Sequence, residues 1–154
     1  MKILLLFLLL TSTLSAQELT KTERIIQERQ ALIVLHRNYS GDSLLMEYVQ
    51  FIVLDNRYDY LSNNFNVFVG SVPDCYQFIL DIEKFQAYEP GTSGKINGLY
   101  VSQYRMINVG RKVVTTMYDE DNHFYHYFQV KEVQALKTKL YDWMIKEGYL
   151  KVNN

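Results

Sequence analysis

The sequence predicts an α+β domain in which a mostly antiparallel sheet is packed by two amphipathic helices. Three observations lead to this fold class. Apolar residues recur at helical spacing from Cys75 to Phe85 and again from Val133 to Met144, and the segment between them reads as short strands separated by turns. Strands and helices that follow one another in this order are typical of a layered α+β domain.

The N-terminus has the order of a secretory signal peptide. A basic start precedes the apolar run Ile3–Leu10, and small and polar residues then lead to Ala16. The run is shorter than a membrane-spanning helix, and no basic stop-transfer patch follows it. We therefore expect cleavage of residues 1–16, rather than a buried N-terminal helix, and an exported protein that is periplasmic or extracellular. The mature part, residues 17–154, is predicted to be a single domain with no further membrane span.

Composition bears on partners and on the source of stability. Without Lys2, fifteen basic side chains stand against seventeen acidic ones, so no nucleic-acid partner is predicted. The single cysteine, Cys75, rules out an internal disulfide bond. Stability is therefore expected from packing, and thirteen tyrosines predict aromatic sheet faces and an aromatic core.

The first third of the mature chain is compatible with either a helix or a strand. Thr20–Glu23 has the spacing of a capping box, which predicts a helix that runs on to Leu35, yet Ala31–Leu35 would also serve as a buried strand. We favour the helix. Leu44–Leu54 is apolar at both periodicities, so helix and strand are equally supported there.

The local signals agree better after residue 64. Phe65–Val69 alternates as a strand does and ends at Gly70. Ser71–Asp74 then has the features of a helix start, with proline in the first turn. We predict a helix that ends at Pro90-Gly91 and whose buried face is formed by Cys75, Phe78, Ile79, Ile82 and Phe85.

Three strands and a second helix are predicted in the remainder. The strands are Leu99–Ile107, Lys112–Tyr118 and His123–Phe128, and Asn108–Arg111 has the composition of a hairpin turn. Gly148 is expected to end the last helix. Its apolar stripe consists of Val133, Leu136, Leu140, Trp143 and Met144.

The second half, roughly residues 65 to 147, resembles modules of short uncharacterised exported proteins of Bacteroidota. The resemblance depends on the capped helix, the loop Gly91–Gly98, the strand meander and the last helix. The leader, which ends in Ser-Ala-Gln, also resembles the leaders of these proteins. It implies an envelope or secreted address and no particular activity.

Asp119, Asp121 and His123 are the candidate metal ligands, with His126 nearby, because carboxylates and imidazoles bind metal ions. However, residues three apart on a strand point to opposite faces, so His123 and His126 should diverge. A calcium loop would also need a glycine, and none occurs between Gly110 and Gly148. We favour a solvated turn and predict neither metal nor cofactor.

Two further segments suggest chemistry at first sight. Cys75 lies in the first turn of a helix, where a thiol pKa can fall, but its spacing places it on the buried face as a core thiol. Gly91–Lys95 suggests a phosphate loop, yet Glu89 stands where the Walker pattern needs glycine and Ile96 where it needs Ser or Thr. We predict a flexible connection there.

The candidate binding residues are tyrosines on predicted strands. Tyr100 and Tyr104 share one strand face, and Tyr125 and Tyr127 share another. A tyrosine-rich surface suits a peptide or a sugar, although we favour the alternative that the amphipathic helices cover it, because they need an apolar surface.

The leading hypothesis is a non-enzymatic exported binding or interaction domain. It would act through an exposed aromatic sheet face or the loop Gly91–Gly98, on a protein, peptide or glycan partner in the envelope. The alternative is a small envelope hydrolase or a metal-dependent module that uses Asp119, His123 and His126.

Overall fold

The computed structural model describes residues 18–55, 64–106, 112–121 and 125–150, and it has an α+β fold. Two four-stranded antiparallel sheets, with strand orders β1-β2-β3-β4 and β5-β6-β7-β8, are each followed in sequence by one helix. The elements are β1 (Glu18–Glu28), β2 (Ala31–Ser40), β3 (Ser43–Leu54), β4 (Asn64–Gly70), α1 (Val72–Gln86), β5 (Ser93–Ile96), β6 (Leu99–Met106), β7 (Lys112–Tyr118), β8 (Tyr125–Phe128) and α2 (Val130–Lys146).

The helix favoured for the first third is wrong, because this segment forms β1 and β2. Leu35 lies opposite Val49, and Ile33 lies opposite Phe51. All four side chains are almost fully buried, and burial of large apolar side chains against the neighbouring strand outweighs a weak local helix signal. Leu44–Leu54, for which helix and strand were equally supported, belongs to β3.

Helix α1 begins and packs as its sequence predicts. The Ser71 hydroxyl accepts from the Asp74 backbone N–H at 3.2 Å and donates to the Asp74 carboxylate at 2.6 Å. The helix ends at Gln86, shortly before Pro90. Its buried face includes all five predicted residues, Cys75, Phe78, Ile79, Ile82 and Phe85.

Helix α2 also confirms its predicted stripe. Val133, Leu136, Leu140 and Met144 are buried, and Trp143 is half-buried with its ring 5.3 Å from that of Tyr149. The helix ends at Lys146, and Gly148 follows in the left-handed region with φ 80°. Within the described part of the chain, neither helix is long and apolar enough to cross a membrane.

The two helices and the inner faces of both sheets enclose one core. Helix α1 contacts β3 and β4 of the first sheet and β5 and β7 of the second, while α2 contacts α1 and β1. Phe51 joins the two sheets, because its ring lies 5.9 Å from Phe78 of α1 and 6.2 Å from Phe128 of β8. The core therefore leaves one face of each sheet outside.

The segment Gly91–Gly98 contains strand β5, although the glycines of Gly91–Lys95 predict a flexible connection. The Gly91 N–H donates to the Gln103 carbonyl at 2.8 Å, and the Gln103 N–H donates to the Thr92 carbonyl at 2.9 Å. These backbone bonds hold the segment against β6, which its sequence alone does not reveal.

Several predictions fall outside the described residues. They are the signal peptide at residues 1–16, the hairpin turn at residues 108–111, and His123. The strands that flank the hairpin turn do pair in antiparallel orientation, with Met106 opposite Lys112.

Candidate functional site

The predicted tyrosines lie together on one face of the second sheet. Tyr100 of β6 is opposite Tyr118 of β7, and Tyr118 is opposite Tyr125 of β8. Because side chains alternate across a strand, Tyr104 shares the face of Tyr100 and Tyr127 shares the face of Tyr125. We call this surface the tyrosine face; its residues are Tyr100, Tyr104, Tyr118, Tyr125 and Tyr127.

The two helices do not cover the tyrosine face. Val101, Met117 and Phe128 alternate with the tyrosines, are completely buried, and belong to the core that α1 and α2 line. Tyr104 is 52% exposed, and the other four tyrosines are half-buried. The expectation that the helices would pack onto these rings is thus wrong, because the opposite face of the same strands supplies the apolar surface that they need.

Two rings of the tyrosine face stack on each other. Tyr100 and Tyr118 stack with centroids 5.5 Å apart and an interplanar angle of 10°. The Lys95 ammonium lies 4.1 Å from the centroid of Tyr100. Since β5 and β7 flank β6, Lys95 and Tyr118 sit on either side of the Tyr100 ring.

Side-chain hydroxyl groups of β5, β6 and β7 form hydrogen bonds across neighbouring strands. Ser93 Oγ and Ser102 Oγ are 2.9 Å apart, and the Thr116 hydroxyl donates to the Ser102 carbonyl at 3.1 Å. Burial raises the pKa of the Tyr125 phenol, while its hydrogen bond with Thr116 acts in the opposite direction. A phenol whose pKa is raised is neutral at pH 7, so it can both donate and accept a hydrogen bond.

Among the described residues, this arrangement can bind but shows no activated nucleophile. The Thr116 hydroxyl donates to a backbone carbonyl and the Ser102 hydroxyl bonds to another hydroxyl, and neither contacts a described imidazole or carboxylate that could remove its proton. The surface presents partly exposed tyrosine side chains to solvent. Such amphipathic surfaces are enriched where proteins meet partners.

The structure separates His126 from the acidic turn after β7. His126 is completely buried on the core face of β8, and its Nδ1–H donates to the Leu54 carbonyl at 2.8 Å. Burial lowers its pKa to about 4, although the hydrogen bond to Leu54 and the charge of Asp55 oppose the decrease. Its imidazole therefore belongs to the core rather than to a site at the turn.

Asp119 and Asp121 lie at that turn, half-buried and exposed respectively. Among the described residues there is no group of three or more His, Cys, Asp or Glu side chains placed to hold a metal ion. The third candidate ligand, His123, lies outside the described ranges.

Cys75 is a core residue, as its spacing predicts. It is completely buried, and burial raises the pKa of its thiol to about 12. A thiol with this pKa carries almost no thiolate at pH 7, so it is a poor nucleophile.

Sequence reasoning missed one member of the tyrosine face, Tyr118, and its neighbour Lys95. Tyr118 lies on the same face as Tyr100 because the two residues are directly opposite each other in the hairpin. This can be deduced from the sequence only once the register of the two strands is known. A slip of one residue would move a whole strand's side chains to the other face. Lys95 was missed because its segment was interpreted as a loop rather than as β5.

Comparison of the sequence with protein-family models and curated proteins, and of the fold with solved structures, gave no match.

Proposed function

We propose that this protein is an exported, non-enzymatic binding domain that holds a peptide segment of a partner protein on its tyrosine face. The observation that carries the proposal is the gathering of five tyrosines on the one face of the second sheet that the helices leave open. The exported address is supported by the order of basic, apolar and small residues in residues 1–16.

A peptide partner is favoured over a glycan by the contacts of the Tyr100 ring. A sugar is bound by stacking on a free aromatic face, whereas the Tyr100 ring stacks on Tyr118 and its centroid lies 4.1 Å from the Lys95 ammonium. The exposed parts of the tyrosines can donate and accept hydrogen bonds and contact apolar side chains. Tyrosine also loses little conformational entropy on binding, because it has only two side-chain torsions.

Tyr104 is the expected anchor of this surface. It is the most exposed of the five tyrosines, and it lies on β6 opposite Val114, beyond the residues of β6 that pair with β5. An exposed aromatic ring that becomes fully desolvated on binding contributes strongly to affinity. Loss of the Tyr104 ring should therefore weaken binding more than loss of an equally exposed ring elsewhere.

A pair of photo-crosslinking variants tests the proposal. A photoreactive phenylalanine analogue replaces Tyr104 in one variant and Tyr141 in the other, and both are crosslinked in the cell that makes the protein. Tyr141 is the matched control because it is 42% exposed but lies on α2, with its ring 5.9 Å from Tyr76. We expect a discrete protein adduct from position 104 and none from position 141.

The identified partner is then titrated against purified wild-type protein, Tyr104→Ala and Tyr141→Ala. We expect Tyr104→Ala to raise the dissociation constant by about tenfold or more and Tyr141→Ala to leave it unchanged. Equal affinity of the two variants would contradict the proposed surface. Binding to a glycan array that depends on Tyr104, with no protein adduct, would contradict the peptide class of ligand.

A further inference from the structure

A polar cleft lies beside the tyrosine face, where the turn between β1 and β2 meets the end of β8 and the start of α2. Its volume is about 280 Å³. The residues that line it are Arg29, Gln30, Tyr127, Gln129 and Glu132. Pockets for drug-sized ligands begin at about 300 Å³, so this cleft suits a small organic molecule rather than a polymer.

Glu132 is the unusual residue of this cleft. Only 5% of it is exposed, and its Oε1 has no hydrogen-bond partner among the described residues. The other oxygen, Oε2, accepts from the Gln129 backbone N–H at 3.5 Å, and the Gln30 backbone also donates to the carboxyl group. A buried acceptor that lacks a donor costs free energy, so a ligand that donates to Oε1 would recover it.

Arg29 supplies the opposite charge. Its guanidinium is close enough for its charge to favour the ionised form of Glu132, against the burial that raises the pKa of this carboxyl. Arg29 also has a positive φ of 45°, a conformation that costs an ordinary side chain free energy and that Asn or Gly would adopt more readily. The tight turn thus holds a cation at the cleft, near the carboxyl group of Glu132, whose Oε1 lacks a donor among the described residues.

We propose that this cleft binds a small zwitterion of the amino-acid type. The ligand's ammonium group donates to Oε1 of Glu132, and its carboxylate accepts from the guanidinium of Arg29. The amide groups of Gln30 and Gln129 and the Tyr127 hydroxyl are the uncharged polar groups of the wall. The site goes beyond the peptide-binding function proposed above, since it is a separate cleft that shares only Tyr127 with the tyrosine face.

Three matched small molecules test the class of ligand. L-Alanine carries both charges, propionate lacks the ammonium group, and ethylamine lacks the carboxylate. Each is titrated into the mature protein, residues 17–154, and binding is followed by the melting temperature and by amide chemical shifts. We expect a saturable rise in melting temperature with L-alanine, shifts centred on residues 127–132, and much weaker effects of the other two molecules.

Two variants remove the charges of the cleft one at a time. Glu132→Gln keeps the shape of the side chain, and Arg29→Asn places a residue that tolerates positive φ in the turn. Each should raise the dissociation constant for L-alanine by about tenfold or more, since each removes one charge-assisted hydrogen bond. Glu147→Gln, at the exposed C-terminal end of α2, is the control and should bind as the wild-type protein does.

The results separate this site from the tyrosine face. Tyr104→Ala should leave the binding of L-alanine unchanged even though it weakens the peptide complex. The proposal is overturned if L-alanine does not bind to the folded wild-type protein, or if propionate or ethylamine binds as well as L-alanine. It is also overturned if folded Glu132→Gln and Arg29→Asn both keep wild-type affinity.

Discussion

Replacement of His126 by Asn should remove a specific part of the protein's sensitivity to acid. His126 is completely buried, donates from Nδ1 to the Leu54 carbonyl at 2.8 Å, and has a pKa of about 4 in the folded protein against 6.5 for an ordinary histidine. His126→Asn keeps a donor near Nδ1 but cannot titrate. The variant therefore separates the proton equilibrium of this side chain from its packing.

The sign and size of the effect follow from linkage. Between about pH 6.5 and pH 4 the unfolded chain binds a proton at this histidine and the folded chain does not, so stability falls as the pH falls. At about 1.4 kcal/mol for each tenfold change in proton affinity, His126 alone lowers the free energy of unfolding by about 3 kcal/mol across this window. The contribution is complete above pH 6.5 and is lost below pH 4.

Urea unfolding at several pH values between about 7 and 4 measures this contribution. Wild-type protein should lose about 3 kcal/mol more than His126→Asn over that range, while the cavity left by the smaller side chain lowers the stability of the variant equally at every pH. His36→Asn, on the outer face of the first sheet, is the matched control, because His36 is only half-buried and bonds to Gln50 at 2.9 Å. A constant difference in stability between wild-type protein and His126→Asn at all pH values would refute the reasoning.

Three further predictions concern the core and its rim. Cys75 should resist a thiol reagent in the native protein and react only after unfolding, and rapid native labelling would contradict its burial. Thr115→Val should lower the free energy of unfolding in urea by about 1–3 kcal/mol, because the Thr115 hydroxyl donates to buried Gln103 at 2.8 Å. Thr138→Val is the control and should lower it far less, because Thr138 is exposed. Tyr149→Phe should lower the free energy of unfolding by about 1 kcal/mol, because the Tyr149 hydroxyl donates to the partly buried carboxylate of Glu47. For the same reason it should raise the pKa of Glu47, which NMR titration measures. An unchanged pKa would show that the bond is absent in solution.

Elements whose signals are local could be predicted from the sequence. The start of α1 depends on Ser71 and Asp74, three residues apart, and its buried face depends on a spacing of three and four residues. The end of α2 depends on Gly148, which adopts the positive φ expected of it. Each of these features is decided within one or two turns of chain, so long-range contacts had little to change.

The first sheet and the segment Gly91–Gly98 could not be settled in this way. Ala31–Leu35 is apolar at every position, which fits a buried strand and a buried helix equally well. Pairing with β3 decides between them, since it places Ile33 and Leu35 opposite Phe51 and Val49. β5 likewise depends on pairing with β6, whose partners are set by the fold rather than by glycine content.

The two candidate sites show the same division. Alternation along the chain alone determined that Tyr100 shares a face with Tyr104, and Tyr125 with Tyr127. That both pairs lie on one face, together with Tyr118 and outside the cover of the helices, was decided by strand register and by which face packed inward. The cleft between Arg29 and Glu132 has no local signal, because its residues are about a hundred positions apart in the sequence and meet only when the core forms. The sequence determines which residues share a face of one helix or strand, because that depends only on the spacing of neighbouring residues. The tertiary structure decides which faces meet in a site, because that depends on packing between segments distant in sequence.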